Sequence, residues 1–378
     1  MEPIKMVDLH TQYLKIKDDI DAAIGEVLNE TAFIQGRQVR EFEAALADYT
    51  GAHHVVTCGN GTDALQIALM ALDPEPGDEV ILPVFTYVAT AEVVALLRLT
   101  PVFVDVDPRT FNIDVQQAAA KITDRTRAIV PVHLFGQCAD MDPLIEIAAQ
   151  RNIAIIEDAA QALGAQYRSG DGSFRHAGVI GRIGCTSFFP SKNLACFGDG
   201  GAMLTNDTTL AEKLRMTANH GQKVKYHYDL VGVNSRLDTL QAAVLKIKLR
   251  HLDAYTRARQ QAAAHYDAGL RDLAELTLPF RTENSTHVFN QYTIQVTDGR
   301  RDTLKTYLRE MGVPSMVYYP VPLHFQNAYK SPQYGAGAFP VAEKLSTSVL
   351  SLPVHTEMTT DQLDYICDAL RSFFRSSS

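Results

Sequence analysis

The residue with the clearest potential for covalent chemistry is Lys192, in the run Ser187-Phe188-Phe189-Pro190-Ser191-Lys192. This run follows an apolar, strand-like segment and precedes the glycine-rich stretch 198–201. Most lysines are solvated charges, and that interpretation holds for most lysines of this chain. Beside a buried strand, however, desolvation lowers the pKa of an amine and favours its neutral form. Because the neutral amine condenses with carbonyl groups, this setting predicts Schiff-base chemistry at Lys192.

A carboxylate and an amide follow a second apolar segment. Asp158 comes directly after residues 153–157, and Gln161 lies one helical turn further on. A carboxylate at the end of a buried strand is costly unless a cation pairs with it. The pyridinium nitrogen of a bound ring is one such cation. An N-cap or a structural salt bridge is the alternative that the sequence leaves open for Asp158.

A glycine-rich turn, Gly59-Asn60-Gly61-Thr62-Asp63, follows a third apolar segment and precedes a helix-compatible run. The free N–H groups at a helix N-terminus suit a phosphate, and Thr62 adds a hydroxyl group. The alternative is that Thr62 or Asp63 serves only as the N-cap of the helix.

Three further residues are open to two interpretations. Tyr87 suits stacking on a planar ring, although buried aromatic residues more often belong to the core. Asn234 and Arg236, in the run 232–238, are equally compatible with capping and surface roles.

These residues need a scaffold that brings the ends of several strands together. Between residues 50 and 205, short apolar runs alternate with amphipathic stretches. Such alternation favours a mostly parallel sheet with helices on both faces. Strands are predicted at 54–58, 79–82, 102–106, 128–134, 153–157, 185–189 and 202–205, and helices at 64–71, 87–97, 141–149 and 208–218. Ligands of such sheets bind at the carboxyl ends of the strands, where the three motifs lie.

The pattern changes near residue 250. One or two long helices are predicted over 237–270, followed by strands at 290–296, 315–319 and 348–352 and helices at 302–311, 341–348 and 360–374. The sequence therefore predicts an α/β fold with a large domain over residues 1–250 and a smaller α+β domain over residues 251–378.

The composition argues against several other classes of protein. The 378 residues carry a formal net charge of −9, which repels a nucleic-acid backbone. The N-terminus lacks the apolar stretch of a secretory signal, and no run of about 20 apolar residues could span a membrane. Five scattered cysteines without a CxxC pair disfavour disulfides and a zinc site. No metal is expected, and a reducing cytoplasm is the expected location.

Taken together, the motifs resemble those of the DegT/DnrJ/EryC1/StrS family of sugar-nucleotide aminotransferases. The resemblance extends over essentially the whole chain. It implies a fold-type I aminotransferase that uses pyridoxal 5′-phosphate and works as a homodimer with shared active sites. L-glutamate is the expected amino donor. Lysine rather than histidine at position 192 favours amino transfer over the dehydration that some members catalyse. The most specific runs are Gly61-Thr62-Asp63-Ala64-Leu65, Glu157-Asp158-Ala159-Ala160-Gln161, 187–192, Gly198-Asp199-Gly200-Gly201 and Asn234-Ser235-Arg236-Leu237-Asp238.

The resemblance also implies a role for each motif residue. Lys192 would hold the cofactor as a Schiff base, and Asp158 would pair with its pyridinium nitrogen. Gln161 would contact the ring hydroxyl group, and Tyr87 would stack on the ring. Asn234 would reach the phosphate in the neighbouring subunit. Within one subunit, the phosphate would be held by Thr62, the backbone of Asp63, and Ser187, with Gly61 in the turn.

Within the family, the runs 85–92, 135–140 and 234–238 resemble those of enzymes that aminate a UDP-linked 3-keto-N-acetylglucosaminuronic acid. Such sugars enter surface polysaccharides such as lipopolysaccharide. Arg236 is then the candidate for gripping the sugar carboxylate bidentately. Tyr318 and Tyr319 are candidate sugar contacts, although Tyr318-Tyr319-Pro320 stands where those enzymes tend to have His-Tyr-Pro. The alternatives are a dTDP- or UDP-linked keto-6-deoxy sugar as substrate, or a regulatory protein that binds the cofactor without turnover.

A nucleotide diphosphate also needs cationic partners. The run 220–228 is basic and interleaved with aromatic residues. Its His220, Lys223 and Lys225 are predicted to line the sugar-nucleotide cleft, and a solvated surface loop is the alternative. His324 is a further candidate for a contact with the sugar.

Overall fold

A seven-stranded sheet forms the centre of the computed structural model, which describes residues 2–375. The strands of the chain are β1 (His54–Cys58), β2 (Glu79–Pro83), β3 (Thr100–Val104), β4 (Thr126–Ile129), β5 (Ala154–Asp158), β6 (Gln166–Arg168), β7 (Phe174–His176), β8 (Ile183–Ser187), β9 (Gly201–Thr205), β10 (Gln222–Val224), β11 (His227–Tyr228), β12 (Leu276–Thr277), β13 (Tyr292–Val296) and β14 (Val349–Leu352). The central sheet has the order β1-β9-β8-β5-β4-β2-β3. Adjacent strands are parallel except at β9, which runs antiparallel to β1 and β8. The predicted, mostly parallel sheet is confirmed.

Helices cover both faces of this sheet. They are α1 (Leu9–Leu14), α2 (Lys17–Glu30), α3 (Arg37–Thr50), α4 (Gly61–Met70), α5 (Ala89–Leu96), α6 (Val115–Ala120), α7 (Met141–Arg151), α8 (Thr208–Ala218), α9 (Thr239–Leu249), α10 (Leu252–Leu270), α11 (Arg301–Glu310), α12 (Pro340–Ser348) and α13 (Thr360–Arg375). Ile156 packs in the core with residues of α4, α5 and α8, whereas its neighbour Ile155 packs with residues of α6 and α7. Successive residues of a strand point to opposite faces, so both faces of β5 are buried.

The C-terminal part of the chain has its own small sheet, with the order β12-β13-β14. This sheet shares an apolar cluster with α10, α11 and α13. However, Leu323, Ala342 and Leu345 pack against the core of the central sheet instead. Gln12 donates a hydrogen bond to Thr356 at 3.1 Å, which ties the N-terminal segment to the C-terminal part. The domain division at residue 250 stays a prediction.

Most predicted helices and strands are present within a few residues of their expected bounds. The long helical stretch after residue 237 is two helices, α9 and α10. The predicted strand at 315–319 is wrong, because this segment forms only an isolated bridge between Met316 and Ser351. Pro314 and Pro320 flank the segment and lack the N–H groups that a longer ladder requires.

Within residues 2–375, no helix is long and apolar enough to cross a bilayer. In the same part of the chain, no group of three or more His, Cys, Asp or Glu side chains is arranged to hold a metal ion. All five cysteines are buried and free. Burial raises the pKa of the Cys138 thiol to about 12, so this thiol stays protonated at neutral pH.

Candidate active site

Three strands deliver polar residues to one edge of the central sheet. Asp158 is the last residue of β5 and lies beside Cys185 of the parallel strand β8, which ends at Ser187. Gly201, the first residue of β9, lies opposite both Ser187 and Cys58, the last residue of β1. The carboxyl ends of β1, β5 and β8 therefore meet, and the turns that follow them share one space.

The turn after β1 begins helix α4 with a set of open donors. The side chain of Asn60 caps this helix by accepting the Asp63 N–H at 2.8 Å. The N–H groups of Gly61 and Thr62 lie in the first turn and have no partner within the helix. A Cβ atom on Gly61 would lie 2.6 Å from the Cβ of Ser187, so glycine permits the close approach of the turn to β8. Gly61, Thr62 and Ser187 form a cradle suited to phosphate.

Two details of this turn differ from the sequence prediction. The N-cap of α4 is Asn60, which was not among the expected capping residues. Because the Asp63 N–H is already bonded to Asn60, the expected phosphate contact of this backbone group does not fit. The Asp63 carboxylate accepts the Ser235 hydroxyl at 2.6 Å, and Ser235 accepts the Gly59 N–H at 2.9 Å. Ser235 therefore links Gly59 and Asp63, at the two ends of the turn, through hydrogen bonds. This role was not predicted from the sequence.

Lys192 lies in the turn that follows β8, where its N–H donates to the Phe189 carbonyl at 2.8 Å. Burial lowers the pKa of the Lys192 amine, and the negative charge of Asp158 opposes this shift. Burial is the larger influence, so the neutral amine is favoured relative to a solvated lysine. Lys192 is half-buried, and its Schiff-base chemistry stays a prediction.

The carboxylate of Asp158 is buried and faces two neutral donors. Its Oδ2 accepts the Thr90 hydroxyl at 2.8 Å, and its Oδ1 accepts the Ala160 N–H at 3.2 Å. The next element along the chain is strand β6, so Asp158 does not cap an α-helix. Because both donors are neutral, the charge of the carboxylate remains available to a cation in the cleft.

Gln161 and the tyrosines line the same space. The Gln161 Nε2 donates to the Tyr319 hydroxyl at 3.2 Å, and its Oε1 accepts the Phe135 N–H at 2.7 Å. The ring centroid of Tyr319 lies 6.3 Å from that of Tyr87 and 5.9 Å from that of Tyr318. Tyr87 is 57% exposed and is therefore not a core residue. Its ring is open to a planar ligand.

Comparison with known proteins decides the family. The sequence pattern of the DegT/DnrJ/EryC1/StrS aminotransferase family matches residues 14–371. The chain belongs to this family. It is 48% identical over 367 residues to the UDP-2-acetamido-2-deoxy-3-oxo-D-glucuronate aminotransferase of Pseudomonas aeruginosa, covering 97% of this chain and 99% of the relative. It is 45% identical over 368 residues to the UDP-N-acetyl-3-dehydro-alpha-D-glucosamine 3-aminotransferase of Acidithiobacillus ferrooxidans, covering 97% of each.

The fold agrees with that assignment. The crystal structure of S. venezuelae DesV in complex with a ketimine intermediate is similar to this chain with a TM-score of 0.94, at 40% sequence identity and over 99% of both chains. The predicted α/β aminotransferase fold and the family resemblance are both confirmed.

Membership of this aminotransferase family implies the cofactor pyridoxal 5′-phosphate. The residues at the sheet edge fit each part of it. The cradle of Gly61, Thr62 and Ser187 suits the phosphate, and the desolvated amine of Lys192 suits the aldehyde. The charge of Asp158, which no described donor neutralises, suits the ring nitrogen. One chain therefore offers a chemically suitable group to each part of this cofactor.

Asn234, predicted to act in the neighbouring subunit, and Arg236, the candidate for the sugar carboxylate, lie near Asn219. Asn234 is exposed and forms an isolated bridge with Asn219. Arg236 lines a cavity of about 190 Å³ together with Arg40 and Arg215, and its Nη1 lies 3.5 Å from the Asn219 Oδ1. At that length the guanidinium of Arg236 is only weakly bonded and remains available to an anion.

The basic run 220–228 forms an exposed β-hairpin from β10 and β11. Lys223 is paired with Glu212 of α8 at 2.9 Å, and the Lys225 amine lies 5.0 Å from the ring centroid of Tyr226. His220, before the hairpin, is exposed and has a positive φ of 60°. In a single chain this is a surface element, and its contact with a nucleotide stays a prediction.

The predicted sugar contact of His324 does not fit the structure. Only 1% of this residue is exposed, and its ring packs against Phe325 and Phe339 with centroids 4.0 and 4.9 Å away. Its Nε2 lies 3.2 Å from the Glu343 Oε1. Because these side chains enclose the imidazole, His324 belongs to the packing beneath α12 and not to the cleft.

Proposed function

We propose that this chain transfers the amino group of L-glutamate to a UDP-linked 3-keto-N-acetylglucosaminuronic acid, for surface-polysaccharide biosynthesis in the cytoplasm. The observation that carries the proposal is the 48% identity, over 97% of the chain, to an aminotransferase named for that keto-uronate. The lowered pKa of the buried Lys192 amine and the buried carboxylate of Asp158 support amino transfer independently of the sugar.

The residues divide the reaction between them. Pyridoxal phosphate, when bound, supplies an aldehyde carbon that carries the amino group and a ring that accepts electrons. The Lys192 amine holds the cofactor, and once released it removes a proton from the α-carbon of glutamate as a general base. Lys192 would then deliver this proton to the carbon that entered as the cofactor's aldehyde, and water would release the former glutamate as 2-oxoglutarate. Asp158 keeps a proton on the ring nitrogen, and Gln161 orients the ring through its free amide N–H.

The proposal includes a homodimer in which each chain completes the other's cleft. Asn234 and the hairpin residues His220, Lys223 and Lys225 are exposed in one chain, which suits residues that act across an interface. We assign the phosphate contact to Asn234 and the diphosphate contact to the hairpin. Tyr319, and Tyr318 beside it, would contact the sugar from the same chain.

The two relatives named above differ in one substrate group, since the glucuronate bears a carboxylate that the glucosamine lacks. Replacing Arg236 by methionine should therefore lower kcat/KM for the keto-uronate by about ten- to a hundredfold, because a charge-assisted contact is lost. The same variant should use UDP-3-keto-N-acetylglucosamine, whose sugar carries no charge, with a kcat/KM within about twofold of the wild-type value.

Steady-state kinetics on both substrates checks this expectation. Arg40→Met is the matched control, because Arg40 lines the same cavity and carries the same charge. An equal loss on both substrates for Arg236→Met would contradict a carboxylate clamp at this position.

A panel of keto-sugar nucleotides tests the proposed function as a whole. Each is supplied with L-glutamate, and release of 2-oxoglutarate is followed. We expect the UDP-linked keto-uronate to give the highest kcat/KM. A higher kcat/KM for a dTDP- or UDP-linked keto-6-deoxy sugar would replace the keto-uronate as the proposed substrate and would leave the aminotransferase activity unchallenged. Silence on every substrate by a protein that binds the cofactor would favour a regulatory role.

A further inference from the structure

Thr90, in the first turn of α5, makes an unusual hydrogen bond. Its hydroxyl donates to the Asp158 Oδ2 at 2.8 Å, across 68 residues of sequence. Thr90 is the second residue of α5, so the carbonyl groups one turn earlier lie outside the helix and its hydroxyl has no helical acceptor there. The hydroxyl is bonded to a buried carboxylate of a different strand instead. The exposed fractions are 1% for Thr90 and 6% for Asp158, so water does not compete for this bond.

We infer that Thr90 is a positioning residue that sets the orientation of the Asp158 carboxylate for the cofactor ring. The inference rests on the proposed function, in which Asp158 pairs with the ring nitrogen. The Ala160 N–H holds Oδ1 only at 3.2 Å, so Thr90 provides the shorter of the two bonds to this carboxylate. With Oδ2 fixed, the plane of the carboxylate is fixed as well.

The location of Thr90 adds a second reason. Tyr87 precedes the same helix by two residues, is 57% exposed and faces the cleft beside Tyr319. The turn 87–90 therefore carries both a ring that can cover the cofactor and a hydroxyl that orients its ionic partner. The same short segment would thus contribute a contact to the face of the cofactor ring and a hydrogen bond to the carboxylate that pairs with the ring nitrogen.

The test compares Thr90→Val, which keeps the shape and removes the hydroxyl, with Thr90→Ser, which keeps the hydroxyl. Thr90→Val should lower kcat by about ten- to a hundredfold, the loss expected for a hydrogen bond to a charged group. It should also weaken pyridoxal phosphate binding. The absorbance of the enzyme loaded with pyridoxal phosphate changes with pH, and the midpoint of this change should lie at higher pH in Thr90→Val. The reason is that a ring nitrogen that holds its proton less firmly leaves the Lys192 nitrogen more basic. Thr90→Ser should keep the wild-type midpoint.

Thr217→Val is the matched control, since Thr217 is equally buried but bonds locally, to the Lys213 carbonyl at 2.8 Å. It should leave the midpoint unchanged. A wild-type midpoint and cofactor affinity in Thr90→Val would reduce Thr90 to a packing residue and overturn the inference. If Thr90→Val does not fold, Thr90→Ala also removes the hydroxyl and decides: a raised midpoint that Thr90→Ser does not show supports the inference, and a wild-type midpoint refutes it. Wild-type protein that takes up no pyridoxal phosphate would refute the proposed function itself. This result is distinguishable from the outcomes for the Thr90 variants.

Discussion

Replacing Lys192 by alanine should reduce transamination by about 10⁴-fold or more, because the variant loses both the covalent attachment and the general base. The wild-type protein should become yellow with pyridoxal phosphate, and borohydride should fix the cofactor to Lys192. The variant should show neither result. Release of 2-oxoglutarate measures the activity, and mass spectrometry locates the adduct.

Lys121→Ala is the control for this variant, since Lys121 is an exposed lysine at the end of α6. It should keep full activity and the adduct at Lys192. An adduct that persists in Lys192→Ala, or a colourless wild-type protein, would remove the basis of the proposed chemistry.

The pH dependence of stability tests the same amine without the cofactor. Burial holds the pKa of Lys192 in the folded chain below its ordinary value of 10.5. Between these two pKa values the unfolded chain binds more protons, so this residue makes the free energy of unfolding rise with pH. At a pH below both pKa values, Lys192→Ala should be more stable than wild type. Its free energy of unfolding should lack the rise with pH that Lys192 causes. Urea unfolding of wild type and Lys192→Ala at about pH 7 and about pH 10 gives the free energy of unfolding of each protein at each pH. An equal change of this free energy between the two pH values in both proteins would show that the amine is solvated.

The three motifs of the site could be found from the sequence because each one follows an apolar strand. In a parallel sheet, the carboxyl ends of neighbouring strands must lie at one edge. The placements of Gly61, Asp158 and Lys192 in the chain therefore imply their proximity in space. The structure shows this proximity through the contacts of β1, β5 and β8.

The residues that support these motifs could not be found in the same way. Thr90 lies 68 residues from Asp158, and Ser235 lies 172 residues from Asp63. Both are ordinary hydroxyl residues, and no spacing rule pairs them with a particular carboxylate. His324 shows the opposite error, since a histidine between apolar residues suggests a ligand contact until its burial against Glu343 is known.

The direction of β9 has a cause that is visible in the sequence. Residues 188–200, between β8 and β9, contain no helix. A parallel neighbour would need a crossover connection, usually a helix, whereas an antiparallel neighbour needs only a loop. A Cβ atom on Gly201 would lie 2.3 Å from the Asn60 carbonyl oxygen, so the glycine-rich loop also makes room for the phosphate turn.

Asp158→Asn should give the second large effect, a loss of kcat of about 10²- to 10⁴-fold. This range corresponds to the roughly 3–5 kcal/mol lost when one partner of a buried charge pair is removed. Asparagine can still accept the Thr90 hydroxyl, so the shape of the site should persist. What disappears is the negative charge that keeps a proton on the ring nitrogen, and the ring then accepts electrons poorly.

Asp105→Asn separates this electronic effect from the general cost of changing a buried carboxylate. Asp105 is 1% exposed and accepts the N–H groups of Val341 and Ala342, both at 2.9 Å, at the start of α12. Its replacement should lower the melting temperature and leave kcat nearly unchanged. Asp158→Asn should do the reverse, because the protein without cofactor gains by losing a buried charge that no cation fully compensates. A variant at Asp158 that is unstable but catalytically normal would make this carboxylate structural, and the ring nitrogen would then need no anionic partner from this chain.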